Sequence, residues 1–164
     1  MRWKEIGDNR CSVARTLSVI GDPWTLLILR DVFLGIRRFD DFQSRLEVTR
    51  HLLADRLKKL VEAGILRREP YQERPVRYEY RLTEKGHDLF PVLMALIRWG
   101  DRWMAGTDGP PLEIVHRPCG HVMTPQMVCP HCQEPVVARD TEVHPKSASQ
   151  EPARMRGIDD GSSS

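Results

Sequence analysis

The chain has 164 residues, 40% hydrophobic and 29% charged, which is about one domain with a small appendage and excludes a disordered or fibrous protein. No apolar run approaches the ~20 residues of a membrane span, and the opening MRWKEIGDNR lacks the apolar segment of a secretory leader, so a cytoplasmic location is expected. The net charge of +2 is unevenly spread: residues 1–104 carry 20 Lys and Arg against 15 Asp and Glu, residues 105–164 carry 5 against 8, and residues 37–81 alone hold 12 against 8. A basic centre of this size suggests a polyanionic partner.

In chain order, residues 1–10 read as an N-terminal arm. Cys11 to Ile20 is helical, with Val13, Leu17 and Ile20 on one face. Gly21-Asp22-Pro23 interrupts it and starts the next helix, since Asp22 is a good N-cap and Pro23 suits the first helical position. Trp24 to Phe33 is apolar on most sides and is expected at the centre of the core. A short helix from Asp40 to Leu46 turns Phe42 and Leu46 inward.

The stretch TRHLLADRLKKLVEAG, Thr49 to Gly64, organises the rest. Leu53, Leu57, Leu60 and Val61 share one helical face, while His51, Asp55, Lys58 and Glu62 share the other. Thr49 can cap its start, and Gly64 suits the left-handed residue past its end. Residues 65–69 and 76–82 alternate as strands do, with Pro75 in the loop between them. This hairpin carries Arg67, Arg68, Arg74, Arg77 and Arg81 among Tyr71, Tyr78 and Tyr80. One long helix is expected from Glu84 to Met104, kinked at Pro91, with an apolar stripe that includes Trp99 and Trp103. That stripe exceeds the needs of so small a core and reads as a dimer face shared with the first helix.

Helix, tight connection, second helix with a polar outer face and basic hairpin together give a winged helix-turn-helix: an α+β chain, mainly α. The major groove admits a helix and is read from its N-terminal end and exposed face. Thr49, Arg50, His51, Asp55 and Lys58 occupy those positions here. Arg50 or His51 can donate to guanine, Asp55 can accept from cytosine or pair with Lys58 or Lys59, and Thr49 and Lys58 suit phosphate. Arg74 and Arg77 at the wing would lie over the adjacent minor groove or backbone and supply affinity rather than sequence choice. Arg56 points toward the domain side.

Beyond a linker at 106–111, residues 112–145 form a small zinc-knuckle-like module. His116-x2-Cys119 and Cys129-x2-Cys132 have the spacing of ligand pairs for a structural Zn2+, with His121 an alternative to His116 as the nitrogen ligand. Residues 146–164 read as a disordered tail rich in Ser, Pro, Gly and Asp. Two other readings stay open. One is a thiol-redox protein using Cys129 and Cys132, which lacks the βαβ pattern expected around such a motif. The other is a protein-interaction adaptor on the winged fold, which should present apolar anchors rather than polar residues on the central helix. No Ser-His-Asp set, carboxylate pair or phosphate-binding Gly loop speaks for an enzyme.

The segments CSVARTLSVIGDPWTLLILRDVFLGIRRFDDFQSRL, TRHLLADRLKKLVEAGILRR and RYEYRLTEKGHDLFPVLMALIRWGDRW resemble the HxlR-type winged helix-turn-helix transcriptional regulators. The likeness runs from Cys11 to Trp103, and its specific pieces include Trp24-Thr25, Leu-Thr-Glu-Lys-Gly after the wing, and Pro91 with Trp99-Gly100. It implies a domain over 11–105 that acts as a homodimeric repressor or activator on operator DNA, joined through its first and last helices. It also implies that Cys11 matches a position which some members use as a thiol sensor. Arg10 and the adjacent helix start would favour a thiolate there.

Overall fold

The computed structural model describes residues 10–144; the arm expected over 1–10, but for Arg10, and the tail expected over 146–164 lie outside the described residues. The chain divides into two compact units, Met1–Pro125 and Gln126–Ser164.

The first unit is built on α2, Pro23–Phe33, which follows α1, Ser12–Ile20. Asp22 caps α2 as its sequence suggests, accepting the Thr25 N–H at 3.2 Å, with Pro23 in the first turn. α2 buries Ile28 and Leu29 completely. Also fully buried is Asp31, whose carboxylate is held by Arg30 at 2.8 Å and Arg45 at 3.4 Å. Arg45 belongs to α3, Phe39–Leu46, so this charge ties α3 to α2. Glu47 ends α3 in the left-handed conformation, and α4 follows over Arg50–Glu62. Thr49 accepts the Leu52 N–H, and Leu53, Leu57 and Leu60 are buried against Phe42, Ile28 and Leu29 in one core cluster. Three such leucines contribute on the order of 2 kcal/mol each when fully buried. Burial, more than helix propensity, therefore fixes α4.

The wing is longer than the alternation suggested. β1 runs over Leu66–Glu73 and β2 over Val76–Leu82, antiparallel, with an irregularity between Pro70 and Gln72 and a cis Arg74–Pro75 peptide in the turn. The interruption near Tyr71 accommodates Pro70, which cannot donate to the ladder. A further segment joins the sheet: Arg38 bridges Glu79, and the Tyr80 N–H donates to the Arg37 carbonyl at 2.8 Å. Nothing in the sequence periodicity announced it.

The single kinked helix expected over Glu84–Met104 is corrected to two, α5 at Glu84–His87 and α6 at Phe90–Met104. Pro91 lacks the N–H that a continuous helix would need, and its ring crowds the carbonyl four residues back. The helix therefore restarts at Phe90, with Pro91 in its first turn. Leu93 and Met94 face the core, while Trp99, Trp103 and Met104 are 59%, 65% and 73% exposed.

The Leu-Thr-Glu-Lys-Gly motif joins the end of α4 to the start of α5. Thr83 donates its hydroxyl to the Gly64 carbonyl at 2.6 Å and accepts the Gly86 N–H at 3.1 Å. Lys85 reaches the Ala63 carbonyl at 2.7 Å, covering the C-terminal end of α4. Residues 112–125 fall within the first unit, with Ile114 packed on the core. They form a small hairpin of β3, Val115–His116, and β4, His121–Val122. In the second unit Val128 bridges Pro135, and a short 3-10 turn spans Ala138–Asp140.

Gly86 is the position where the motif cannot change. A Cβ there would overlap the Ile65 carbonyl oxygen and stand 2.9 Å from Leu82 Cδ2. Gly86→Ala should therefore destabilise the domain by about 1–3 kcal/mol in a denaturant titration. An unchanged midpoint would show that this junction is not close-packed.

Candidate nucleic-acid interface

The orientation of α4 is set from its inner side by Arg56. The guanidinium makes a two-pronged pair with Asp22, Nε to Oδ1 and Nη2 to Oδ2, both at 2.9 Å, and a third contact to Asp55 at 2.7 Å. With Arg56 turned inward, Thr49, Arg50, His51 and Lys58 are exposed on the other side. Arg56 thus has the structural role its position suggested.

The exposed residues differ in how committed they already are. Asp55 accepts Lys59 at 2.8 Å as well as Arg56, and the Lys59 hydrogen bond holds its carboxyl below the ordinary range. The pairing is with Lys59 and not Lys58, which instead stands 3.7 Å from Glu62. Asp55 is therefore the least available of the expected base-reading side chains. Arg50 lies 3.7 Å from Asp40 and 4.8 Å from the Phe39 ring centre, both loose, exposed contacts that a phosphate or guanine can replace.

The two faces of the wing sort its arginines. Arg67 stands opposite Arg81, and Glu69 opposite Glu79, so all four share one face. There they neutralise each other: Arg67–Glu69 at 2.5 Å, Arg81–Glu79 at 2.6 Å and Arg81–Glu69 at 3.0 Å. Hydrogen bonding from Arg67 accordingly lowers the Glu69 pKa, and Glu79 raises that of Arg81. The other face carries Arg68 stacked 3.5 Å over Tyr78, and Tyr71 beneath Arg38 at 4.5 Å. Stacking holds these guanidinium groups extended without consuming their charge.

A cleft of about 340 Å3 joins this face to the helices, lined by Arg38, Arg50, Arg68, Tyr71, Arg77 and Tyr78 among others. It brings Arg50 and Arg77, expected from the sequence, together with Arg38 and Arg68, which were given no role. The Arg37-Arg38 doublet ahead of α3 was the available signal; its membership of the sheet was not legible. Arg74 is exposed at the turn, apart from the residues that line this cleft.

Cys11 is exposed at the N-cap of α1. In the small hairpin, His116 Nδ1 lies 3.2 Å from Cys119 Sγ. In the second unit, the backbone N–H groups of Cys132 and His131 draw the Cys129 thiol below its ordinary value. Among the described residues no group of three or more His, Cys, Asp or Glu converges as a bound metal would require. Among the same residues no helix is long and apolar enough to cross a membrane.

The HxlR-like helix-turn-helix family profile matches residues 19–108. An uncharacterized HTH-type transcriptional regulator of Mycobacterium tuberculosis is 44% identical over 134 residues, covering 82% of this chain and 85% of the relative. The solved structure of PA1607, a candidate transcription factor, superposes with a TM-score of 0.77 at 39% identity, covering 85% of this chain and 98% of that one. The redox regulator HypR in its oxidized form gives 0.53 at 34% identity, over 56% of this chain and 96% of its own. A capped, inward-anchored second helix beside a cationic wing, a profile match across most of that domain and close relatives along most of the chain agree: this protein belongs to the HxlR-like helix-turn-helix family of transcriptional regulators.

Proposed function

We propose that the protein is a homodimeric, sequence-specific DNA-binding regulator that inserts α4 into the major groove and lays the wing along the flanking backbone. The observation that carries this is the exposed, polar N-terminal end of α4, with Thr49, Arg50 and His51 outward while Arg56 is tied back to Asp22. An adaptor docking through this helix would need apolar anchors at those positions. Arg50 and His51 act as base readers and Thr49 and Lys58 as phosphate contacts, while Asp55 mainly steadies the helix. Arg38, Arg68, Arg74 and Arg77 supply sequence-independent attraction. Dimerisation uses α1 and α6, which expose the apolar side chains of Val13, Leu17, Leu96, Trp99 and Trp103.

Two finer readings accompany this one. Cys11 is a thiol sensor: its thiolate adds to an electrophile such as a quinone, forming a carbon–sulfur bond at the edge of the dimer helix. Its exposure at the start of α1 and the likeness to the redox regulator HypR support this. The pairs His116 with Cys119 and Cys129 with Cys132 have the residue types and spacing of structural-zinc ligands, and zinc is the metal they suit.

Selection of bound fragments from the source genome should return an imperfect palindrome with half-sites ~34–36 Å apart, as two symmetry-related helices require. Arg50→Ala and His51→Ala should each relax the preferred sequence. Arg74→Ala should weaken binding to all duplexes alike and flatten the salt dependence by about one counterion. Enrichment of no motif at moderate salt would refute sequence-specific binding. For the sensor, quinone treatment should change operator affinity in the wild type and not in Cys11→Ser; unchanged affinity in the treated wild type removes the role.

A further inference from the structure

A second cleft, of about 360 Å3, lies where the end of α2, the segment before α3, both wing strands and α5 meet. Four arginines line it, Arg37, Arg67, Arg81 and Arg117, and no carboxylate does. They come from the segment before α3, from β1, from β2 and from the turn of the small hairpin. Their convergence is a product of the fold and not of spacing along the chain.

The charge gathered there is not balanced. Glu69 accepts Arg67 and Arg81, and Glu79 accepts Arg81. Arg37 acts on Glu69 only through its field, and among the described residues no carboxylate pairs with Arg37 or Arg117. Four guanidinium groups against two carboxylates leave a surplus of two positive charges. The remaining wall is apolar: Val32, Phe33 and Leu34 at the end of α2, and Leu82 of β2. Leu34 keeps half of its surface in water, and His87 stands edge-on to Phe33 with ring centres 6.3 Å apart.

Guanidinium groups beside an apolar wall suit an anionic head carried on an apolar body. Pockets for organic ligands run from roughly 300 to 1,000 Å3, so this one suits a single ring rather than a dinucleotide. A phosphate monoester carries roughly −1.5 to −2 charges at neutral pH, which matches the surplus.

We propose that this cleft binds a small organic dianion, of the type of an aromatic phosphate monoester, and that its occupancy weakens binding to operator DNA. The second part rests on the DNA-binding reading given above; the first does not. This cleft adjoins the one that faces DNA, because Tyr80 lines both and Arg37 of the first precedes Arg38 of the second. Charge placed in one is felt in the other, within the Debye length of ~10 Å at 0.1 M salt. A bound dianion therefore cancels part of the positive field that DNA meets at Arg38, Arg50 and Arg77.

The test is calorimetric titration of the full chain with phenyl phosphate, using inorganic phosphate and phenol as the head and the ring alone. Phenyl phosphate should bind saturably and more tightly than inorganic phosphate, and phenol should not bind. Arg37→Gln and Arg117→Gln should each weaken it by about tenfold, as loss of one charge-assisted contact implies, and Arg98→Gln on α6 should not. All three side chains are exposed, and an unchanged denaturant midpoint checks that each variant keeps its fold. On a selected operator, phenyl phosphate should lower wild-type affinity, less so at high salt, and should leave Arg37→Gln little changed. Inorganic phosphate binding as tightly, or Arg98→Gln weakening binding as much as Arg37→Gln, would show charge attraction without a built site and overturn the first part. So would an absence of saturable binding; if Arg37→Gln and Arg117→Gln then weaken duplex binding alone, the cleft is a DNA-backbone contact. Saturable binding that leaves operator affinity unchanged would overturn the second part only. The titration uses the free chain, so it decides the site even where no operator is recovered, in which case the second part falls with the DNA reading.

Discussion

The geometry of the helix-turn-helix depends on one carboxylate. Asp22 caps α2 through Oδ1 and, with both oxygens, holds the Arg56 guanidinium of α4, so a single side chain fixes the start of one helix and the rotation of another. The cap contributes about 1 kcal/mol. The two-pronged pair adds direction as well as energy, since a planar fork meets a carboxylate in one orientation. Asp31, further along α2, performs a similar service for α3 through Arg45. Both helices of the helix-turn-helix are thus pinned to α2 by charge pairs, while the leucine face of α4 supplies most of the burial. Hydrophobic packing alone tolerates small rotations; the pair with Asp22 does not.

The wing follows the same economy of charge. Its five arginines do not act as a uniform basic strip. Arg67 and Arg81 are absorbed by Glu69 and Glu79 on one face, leaving Arg68 with the tyrosines on the other and Arg74 and Arg77 toward the turn. Arg38 joins them because its segment pairs with β2, so the link before α3 belongs to the sheet. The field that a polyanion meets therefore comes from the helix-facing side of the wing and its tip.

Much of this was legible from local patterns. The leucine spacing of α4, the Thr49 and Asp22 caps and the alternation in the wing are signals carried within a few residues, and all reappear in the fold. Arg56 separates from Arg50 on helical phase alone. What could not be read were pairings across long sequence separation: Arg56 with Asp22, Arg45 with Asp31, and Arg38 with Glu79. No periodicity encodes which arginine meets which carboxylate. Pro91 was read as a kink where the chain restarts a helix, because the difference lies in whether the preceding turn keeps its hydrogen bonds. The Cys/His pairs were visible as spacing.

The proposed mode of binding requires α4 to enter the major groove with its N-terminal end on the bases. Methylation interference on a selected operator tests this directly, since guanine N7 lies in the major groove and adenine N3 in the minor groove. Guanine methylation within each half-site should abolish binding, and the interference should disappear at one base pair when Arg50 or His51 is replaced by alanine. Interference confined to adenine N3, with guanine methylation tolerated throughout both half-sites, would contradict it.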